Sequence, residues 1–507
     1  MQNLAARNQR FKTEIRTQQT NSYLYNRRRQ FLEFNWPFDD LLSQGFNDSI
    51  QNLSKTERLN QIAQYLFTGS ERNANSAVYS LMVNIFGDQD DYTLQDVESS
   101  DIPKALVARF KSDYHSQLGT GVAWLISNLM GKSGASSKAW VNLGIIEFAK
   151  YILVDINPPI DNESLILPSI YIIANMCFEL KHLRVALLQE KIFSQILNIH
   201  AEMIRTNKEL MQRLIWLISL ITYQITRAEI REHITESECM IYYLLSFVQP
   251  SSNMDVMTSL KGVASLEFVE SIESFCQDPE ISQYMIKKRQ LIEQMYKFLL
   301  NDAVNKQVIS FFQLLIEHND IETFHLLFET IHADIYKSCL EKFSGEKLLD
   351  VLFLLSQIAL NEKNAMRFIK DSDFIALFQK CLLDKGKEAL LETVAILGNI
   401  MSHVHQGNFM VIMNSNIVDL LLSGMLIKYI IGEKLIVEAV YVFISKAVSD
   451  GVRELDLIQD SIQESNFIER VETSFNLYSQ KTIDQLNYIK EFLIASQAHN
   501  YTENIFI

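Results

Sequence analysis

A short pattern that recurs about every 45 residues is the feature that most constrains how this chain can fold. In its clearest copies an aromatic residue is followed by three mostly apolar residues and an amide, as in WLISN and YIIAN. The copies end at Asn84, Asn128, Asn175, Leu220, Gln313, Gln357, Asn399 and Ser445. Successive ends are 42 to 47 residues apart, except for one gap of 93 that equals two periods. A unit of this length cannot bury its apolar face alone, so neighbouring units must stack.

The composition indicates that these units are helical. The chain has only 16 Gly and 7 Pro in 507 residues, where average usage would give about 35 and 25. Few residues can therefore adopt a positive φ, which argues against βαβ folds, sandwiches and barrels. Helical periodicity of apolar residues runs from Asp40 to Gln497. The sequence thus predicts an all-α solenoid of about nine repeats, since the period fits armadillo or HEAT arrays better than tetratricopeptide or ankyrin repeats.

Charge divides the chain into an arm and a body. Residues 1–36 contain seven basic and two acidic residues, whereas 37–507 contain 39 basic and 59 acidic residues. A basic arm on an acidic body can dock on a partner or fold back onto its own body, or it can be a solvated tail. We therefore predict an arm at 1–36, a solenoid at 37–497 and a short tail at 498–507. The acidic body disfavours direct binding of nucleic acid, because phosphates would be repelled.

The sequence lacks a membrane-spanning segment and paired cysteines, and both features narrow the class of protein. The most apolar segment, Ile417–Gly432, is interrupted by Asp419 and Lys428, so no stretch reaches the ~20 residues of a membrane span. The five cysteines include no CxxC pair. This predicts buried, reduced thiols of the cytosol or nucleus rather than a zinc site or a disulfide framework.

Catalytic motifs fail when they are tested one by one. Gly131-Lys132-Ser133 resembles the end of a phosphate-binding loop, but Ile126 occupies the position of the required first glycine. His403 and His405 have no acidic or cysteine partner at ligand spacing. We therefore predict no enzyme activity, no cofactor and no metal site.

The recurring aromatic and amide residues are the candidate binding groups. Residues four apart share one face of a helix, so Trp124 projects with Asn128, and Tyr171 with Asn175. Stacked repeats would align these pairs into a ladder along one surface. Amides there could hydrogen-bond the backbone of an extended peptide, and Lys or Arg side chains could lie between the rings. The alternative is that the aromatics belong to the core and each amide caps its own turn.

These residues carry a resemblance to the importin alpha family of nuclear import adaptors. WLISN with the following LMGKSGASSKAWVNLGIIEF resembles an armadillo repeat of that family, and AILGNI (395–400) is similar. The resemblance covers roughly residues 50–490. The basic blocks of the arm resemble the family's importin-beta-binding region; they comprise Arg10, Phe11, Lys12, Arg27, Arg28 and Arg29.

The resemblance implies a groove that binds Lys/Arg-rich nuclear localisation signals, and an arm that binds an importin-beta-like carrier. Carried over residue by residue, the groove comprises Trp124, Asn128, Gly131, Ser133, Tyr171, Asn175, Glu179, Trp216 and Asn399. Glu179 stands where the family pairs an acid with a signal lysine, and Leu220 replaces one amide. The implied function is a nuclear import adaptor of cytoplasm and nucleus. A diverged armadillo scaffold or regulatory subunit without signal binding is the alternative.

Overall fold

A computed structural model describes most of the solenoid. The described residues are 46, 49–50, 52–86, 92–132, 137–156, 163–247, 263–301, 304–324, 326–327, 333–427 and 429–503. They contain helices and turns but no strand, which confirms the all-α prediction. The predicted arm and the last residues of the tail lie outside this part of the chain. The chain divides into two compact units, 1–244 and 245–507.

The helices of the first unit follow one another with short connections. They are α1 Lys55–Thr68, α2 Glu71–Phe86, α3 Leu94–Glu98, α4 Ile102–Asp113, α5 Gln117–Lys132, α6 Ser137–Asn142, α7 Ile145–Lys150, a π-helical turn Tyr151–Asp155, α8 Glu163–Glu179, α9 Lys181–Gln189, α10 Ile192–Ile199, α11 Ala201–Thr206, α12 Lys208–Ile221, α13 Arg227–Glu232 and α14 Ile234–Ser246, which ends just past the boundary.

The second unit also consists of helices joined by short connections. Its helices are α15 Val263–Phe275, α16 Pro279–Met285, α17 Arg289–Leu299, α18 Asn305–His318, a 3₁₀ turn Ile321–Phe324, α19 Ala333–Lys342, α20 Gly345–Ile358, α21 Glu362–Lys370, α22 Ser372–Asp384, α23 Lys387–Met401, α24 Phe409–Asn414, α25 Ile417–Ser423, a 3₁₀ turn Gly424–Leu426, α26 Ile430–Ser449, α27 Asp456–Glu464, α28 Phe467–Glu472, a 3₁₀ turn Phe475–Leu477 and α29 Gln480–Glu503.

The long helix of each repeat packs against the long helix of the next. In the first unit the order of this row is α2, α5, α8 and α12, and in the second it is α15, α18, α20, α23, α26 and α29. Shorter helices, most often two among the described residues, separate successive members, for example α21 and α22 between α20 and α23. A period near 45 residues with three helices per unit is the armadillo layout. The predicted repeat array is therefore confirmed within each unit.

The turn between the first two helices of a repeat uses a left-handed residue. Gly144, Lys191, Asn416 and Asn466 each stand just before a helix with φ between 53° and 69°. A single residue in this conformation reverses the chain direction enough to start a new helix without a longer loop. Short junctions of this kind explain how so few glycines and prolines suffice.

The cysteines behave as predicted core residues. Cys177, Cys276, Cys339 and Cys381 are buried, Cys239 is half-buried, and all five are free thiols. Burial raises the pKa of Cys381 to about 11 and that of Cys177 to about 12, so these thiols are protonated near neutral pH. No described helix is long and apolar enough to cross a membrane.

Candidate peptide-binding surface

The predicted aromatic ladder forms in the first unit. Trp124 on α5, Tyr171 on α8 and Trp216 on α12 lie in sequence, because these three long helices pack one against the next. The ring centroids of Trp124 and Tyr171 are 5.4 Å apart with an edge-on geometry, and those of Tyr171 and Trp216 are 5.1 Å apart. Both distances lie in the favourable range for aromatic pairs.

The rings are buried rather than open to solvent, which agrees with the alternative that the aromatics belong to the core and corrects the interpretation of a ladder along an open surface. Relative exposure is 2% for Trp124, 1% for Tyr171 and 0% for Trp216. Packing of each ring against the next removes apolar surface from water, and this stabilisation would be lost if the rings were exposed. The spacing of the ladder could be read from the sequence, but its burial depends on contacts between repeats.

Two of the amides, Asn175 and Asn399, bind the neighbouring repeat, which neither interpretation made from the sequence predicted. The Nδ2 of Asn175 donates to the carbonyl of Ser127 at 3.1 Å, and the Nδ2 of Asn399 donates to the carbonyl of Ser356 at 2.7 Å. In each pair the acceptor directly precedes the residue at the equivalent position of the previous repeat. Asn84 instead serves its own helix, by donating to the carbonyl of Ser80. Asn175 and Asn399 therefore join adjacent long helices.

At the junction of α5 and α8, the side-chain oxygen of Asn175 has no hydrogen-bond donor among the described residues. The Oδ1 of Asn175 is buried and accepts no hydrogen bond within the described part of the chain. Leaving a buried acceptor unpaired costs about 1–3 kcal/mol. Asn128, the preceding amide of the row, is likewise buried at 0% exposure.

A resident cation covers the middle ring of the ladder. The guanidinium carbon of Arg213 lies 5.1 Å from the centroid of the Tyr171 ring. Its Nη2 is 3.3 Å from a carboxylate oxygen of Glu209, one turn earlier on α12. The Arg213 side chain is 16% exposed, whereas Tyr171 is 1% exposed. Sequence reasoning missed Arg213, although its position seven residues before Leu220 was readable.

The same register carries carboxylates in the second unit. Asp350 on α20 and Glu392 on α23 stand seven residues before Gln357 and Asn399, so each acid shares a helix face with its amide. Their exposures are 9% and 7%. Phe353, at 7% exposure, occupies the position equivalent to Trp124. Sequence reasoning missed these acids because it searched only for the aromatic and amide positions.

The other predicted site residues are only partly described. Gly131 is buried in the last turn of α5. Ser133, the Glu179 side chain and the arm residues Arg10, Phe11, Lys12, Arg27, Arg28 and Arg29 lie outside the described residues. Among the residues that are described, no group of three His, Cys, Asp or Glu side chains could hold a metal ion.

Comparison with known proteins supports the fold. No protein-family model and no curated protein matches the chain. An engineered protein of known structure is 13% identical, with a TM-score of 0.53 over 89% of this chain and 98% of that chain. A designed armadillo repeat protein in complex with peptide (KR)4 is 16% identical, with a TM-score of 0.39 over 49% of this chain and 99% of that chain. The chain is therefore similar in fold to an engineered protein over most of its length.

Proposed function

We propose that this chain is a non-enzymatic adaptor that binds extended Lys/Arg-rich segments of other proteins, as a nuclear import adaptor of the importin alpha type does. The observation that carries the proposal is the repeated pairing of a carboxylate and an amide two turns apart on packed helices. The pairs are Asp350 with Gln357 and Glu392 with Asn399. We refer to these four residues together with Phe353 as the unit 2 surface.

Each group of the unit 2 surface has a defined role in recognition. The carboxylates pair with Lys or Arg, which is a charge-assisted interaction. The amide of Asn399 already donates to the Ser356 carbonyl, so it is held in one orientation and can offer its oxygen and second N–H proton to a peptide backbone. Phe353 offers an apolar contact for the stem of a basic side chain.

The spacing of the helices sets the pattern of the ligand. Packed helices lie about 8–10 Å apart, and an extended peptide advances about 3.3 Å per residue. Successive long helices therefore meet side chains about three residues apart. A ligand with basic residues at that spacing would reach Asp350 and Glu392 together.

We further propose that the basic arm, 1–36, binds an importin-beta-like carrier and competes for the acidic body when no carrier is present. The proposal rests on the opposite charges of arm and body. It implies function in both cytoplasm and nucleus, because an import adaptor must collect cargo in one and release it in the other.

The first test is peptide binding by charge-neutral variants. Fluorescence anisotropy should show that the full chain binds a labelled Lys/Arg-rich peptide, and that Asp350→Asn with Glu392→Gln weakens binding at least tenfold. Loss of two ion pairs to a buried site supports that magnitude. Glu346→Gln is the matched control, since this carboxylate also lies on α20 but is 86% exposed. Equal binding by all three proteins would contradict the proposed role of the carboxylates.

A scaffold without signal binding is the second candidate, and two observations favour it. The aromatic rings of the first unit are buried, and the amides of Asn175 and Asn399 bond to neighbouring repeats. Both features stabilise a repeat array whether or not a peptide binds. The same titration decides between the candidates. A scaffold without signal binding would not bind the labelled basic peptide, whereas the proposed adaptor would.

A further inference from the structure

At the middle rung of the aromatic ladder, the group nearest to solvent is a cation and not an aromatic ring. We define this rung as Tyr171 with Arg213 and Glu209. Tyr171 is 1% exposed, and the Arg213 side chain, whose guanidinium lies over the ring, is the more accessible of the two at 16% exposure. A segment lying along α8 and α12 would therefore meet a guanidinium at this point. The cation–π position over Tyr171 is already occupied by the chain itself.

Arg213 also keeps hydrogen-bonding capacity for a ligand. Its Nη2 pairs with Glu209, while its Nε is buried without a hydrogen-bond partner in the described part of the chain. The remaining terminal nitrogen, Nη1, makes no hydrogen bond to a described residue. Arginine presents five N–H donors in a fork that matches a carboxylate. The rung therefore has more N–H donors than hydrogen-bond acceptors, and it already carries the positive charge of Arg213.

The position of Arg213 in its repeat can be compared with the equivalent positions of the second unit. Arg213 stands seven residues before the row position Leu220, as Asp350 and Glu392 stand seven before Gln357 and Asn399. At this position Arg213 is the one charged residue of the first unit, whereas the second unit has the basic Lys306 and the acidic Asp350, Glu392 and Glu438. The cation at Arg213 and the carboxylates at Asp350 and Glu392 therefore give these rungs opposite preferences for a ligand side chain.

We propose that Arg213 is a specificity-determining residue that makes the middle rung select an acidic or neutral side chain and reject Lys or Arg. Glu209 holds the guanidinium over Tyr171, and an incoming carboxylate pairs with the donors that Glu209 leaves unused. An incoming ammonium or guanidinium would have to displace Arg213 from the ring. This inference rests on the proposed function and refines its ligand class: segments bound by the first unit interrupt their basic run with an acidic or small residue.

The rung can be tested where the unit 2 surface no longer binds. In the Asp350→Asn, Glu392→Gln full-length chain, residual binding reports on the first unit. A basic peptide is varied one position at a time to Glu and to Ala, and each affinity is measured by anisotropy. We expect one position at which Glu binds at least fivefold more tightly than Lys. Adding Arg213→Met, which keeps side-chain length and an apolar contact with Tyr171, should abolish that preference.

Two matched variants separate specificity from folding. Arg213→Lys retains the cation and should retain the preference, whereas Arg205→Met removes an exposed arginine of the same unit and should change nothing. A preference that survives Arg213→Met, or the absence of any residual binding in the double variant, would overturn the inference alone. Failure of the unmodified chain to bind any basic peptide would reject the proposed function as well.

Discussion

At the scale of single residues, the recurring amides act as bonds between repeats. Asn175 and Asn399 donate to carbonyls in the preceding long helix, 48 and 43 residues earlier. The two bonds lie in different units and share one geometry, so the position is selected by the stacking of repeats. Leu220 holds the equivalent position on α12 and is 1% exposed, so the junction of α8 and α12 depends on apolar packing at this point instead.

Asn399→Ala should therefore lower the free energy of unfolding by about 1 kcal/mol, the usual net value of one intramolecular hydrogen bond. Urea unfolding followed by circular dichroism measures the change. Asn414→Ala is the control, because Asn414 is exposed at the end of α24 and its loss should cost much less. If both variants unfold at the same urea concentration, the bond to Ser356 contributes nothing measurable.

At the scale of elements, the left-handed junction residues decide where the second helix of a repeat begins. Gly144 and Lys191 occupy the same place in successive repeats, with φ of 69° and 54°. Glycine adopts this conformation at little cost, whereas a residue with a Cβ atom costs roughly 1–2 kcal/mol there. At Gly144 an added Cβ would also come within 3.3 Å of the Lys111 Nζ, which donates to the Leu143 carbonyl.

Reciprocal substitutions test this junction. Gly144→Ala should lower the free energy of unfolding by about 1–2 kcal/mol, and Lys191→Gly should leave it unchanged or raise it slightly. Thermal unfolding by calorimetry would show melting temperatures that move in opposite directions, or one that falls while the other stays. A fall for both variants would mean that the Lys191 side chain, not backbone strain, dominates its junction.

The sequence predicted the elements better than the contacts between them. The period, the long helices and the Gly144 junction were readable, because each depends on local spacing and local conformational preference. The Asn399 bond to Ser356 was not, and the burial of Trp124 was one of two open alternatives, because both depend on how one repeat lies against the next. Arg213 and Asp350 stand at equivalent positions of their repeats but have opposite charges. Which rings and amides lie near each of them is visible only once the helices are packed.

At the scale of the whole molecule, charge is the property that links the arm to the body. The chain carries a net charge of −15, yet seven of its 46 basic residues fall within the first 36 positions. Under the proposed function an acidic body attracts basic ligands and its own arm alike, so we expect the two to compete when both are present. Such competition would weaken cargo binding until the arm is engaged elsewhere. Since it is electrostatic, it should fade as salt shortens the Debye length from about 10 Å at 0.1 M to about 3 Å at 1 M.

Substitution of Arg27, Arg28 and Arg29 by Ala in the full chain tests this competition. We expect the variant to bind a basic peptide several-fold more tightly than the unmodified chain at low salt, with the difference shrinking as salt is added. The control replaces Lys287 and Lys288, between α16 and α17, and Arg289, the first residue of α17, with Ala. It removes the same charge from the body and should raise affinity only slightly, through net charge alone. If both triple variants bind alike, the arm acts only through overall charge; if neither differs from the unmodified chain, the arm does not compete, and binding of a carrier is its remaining role.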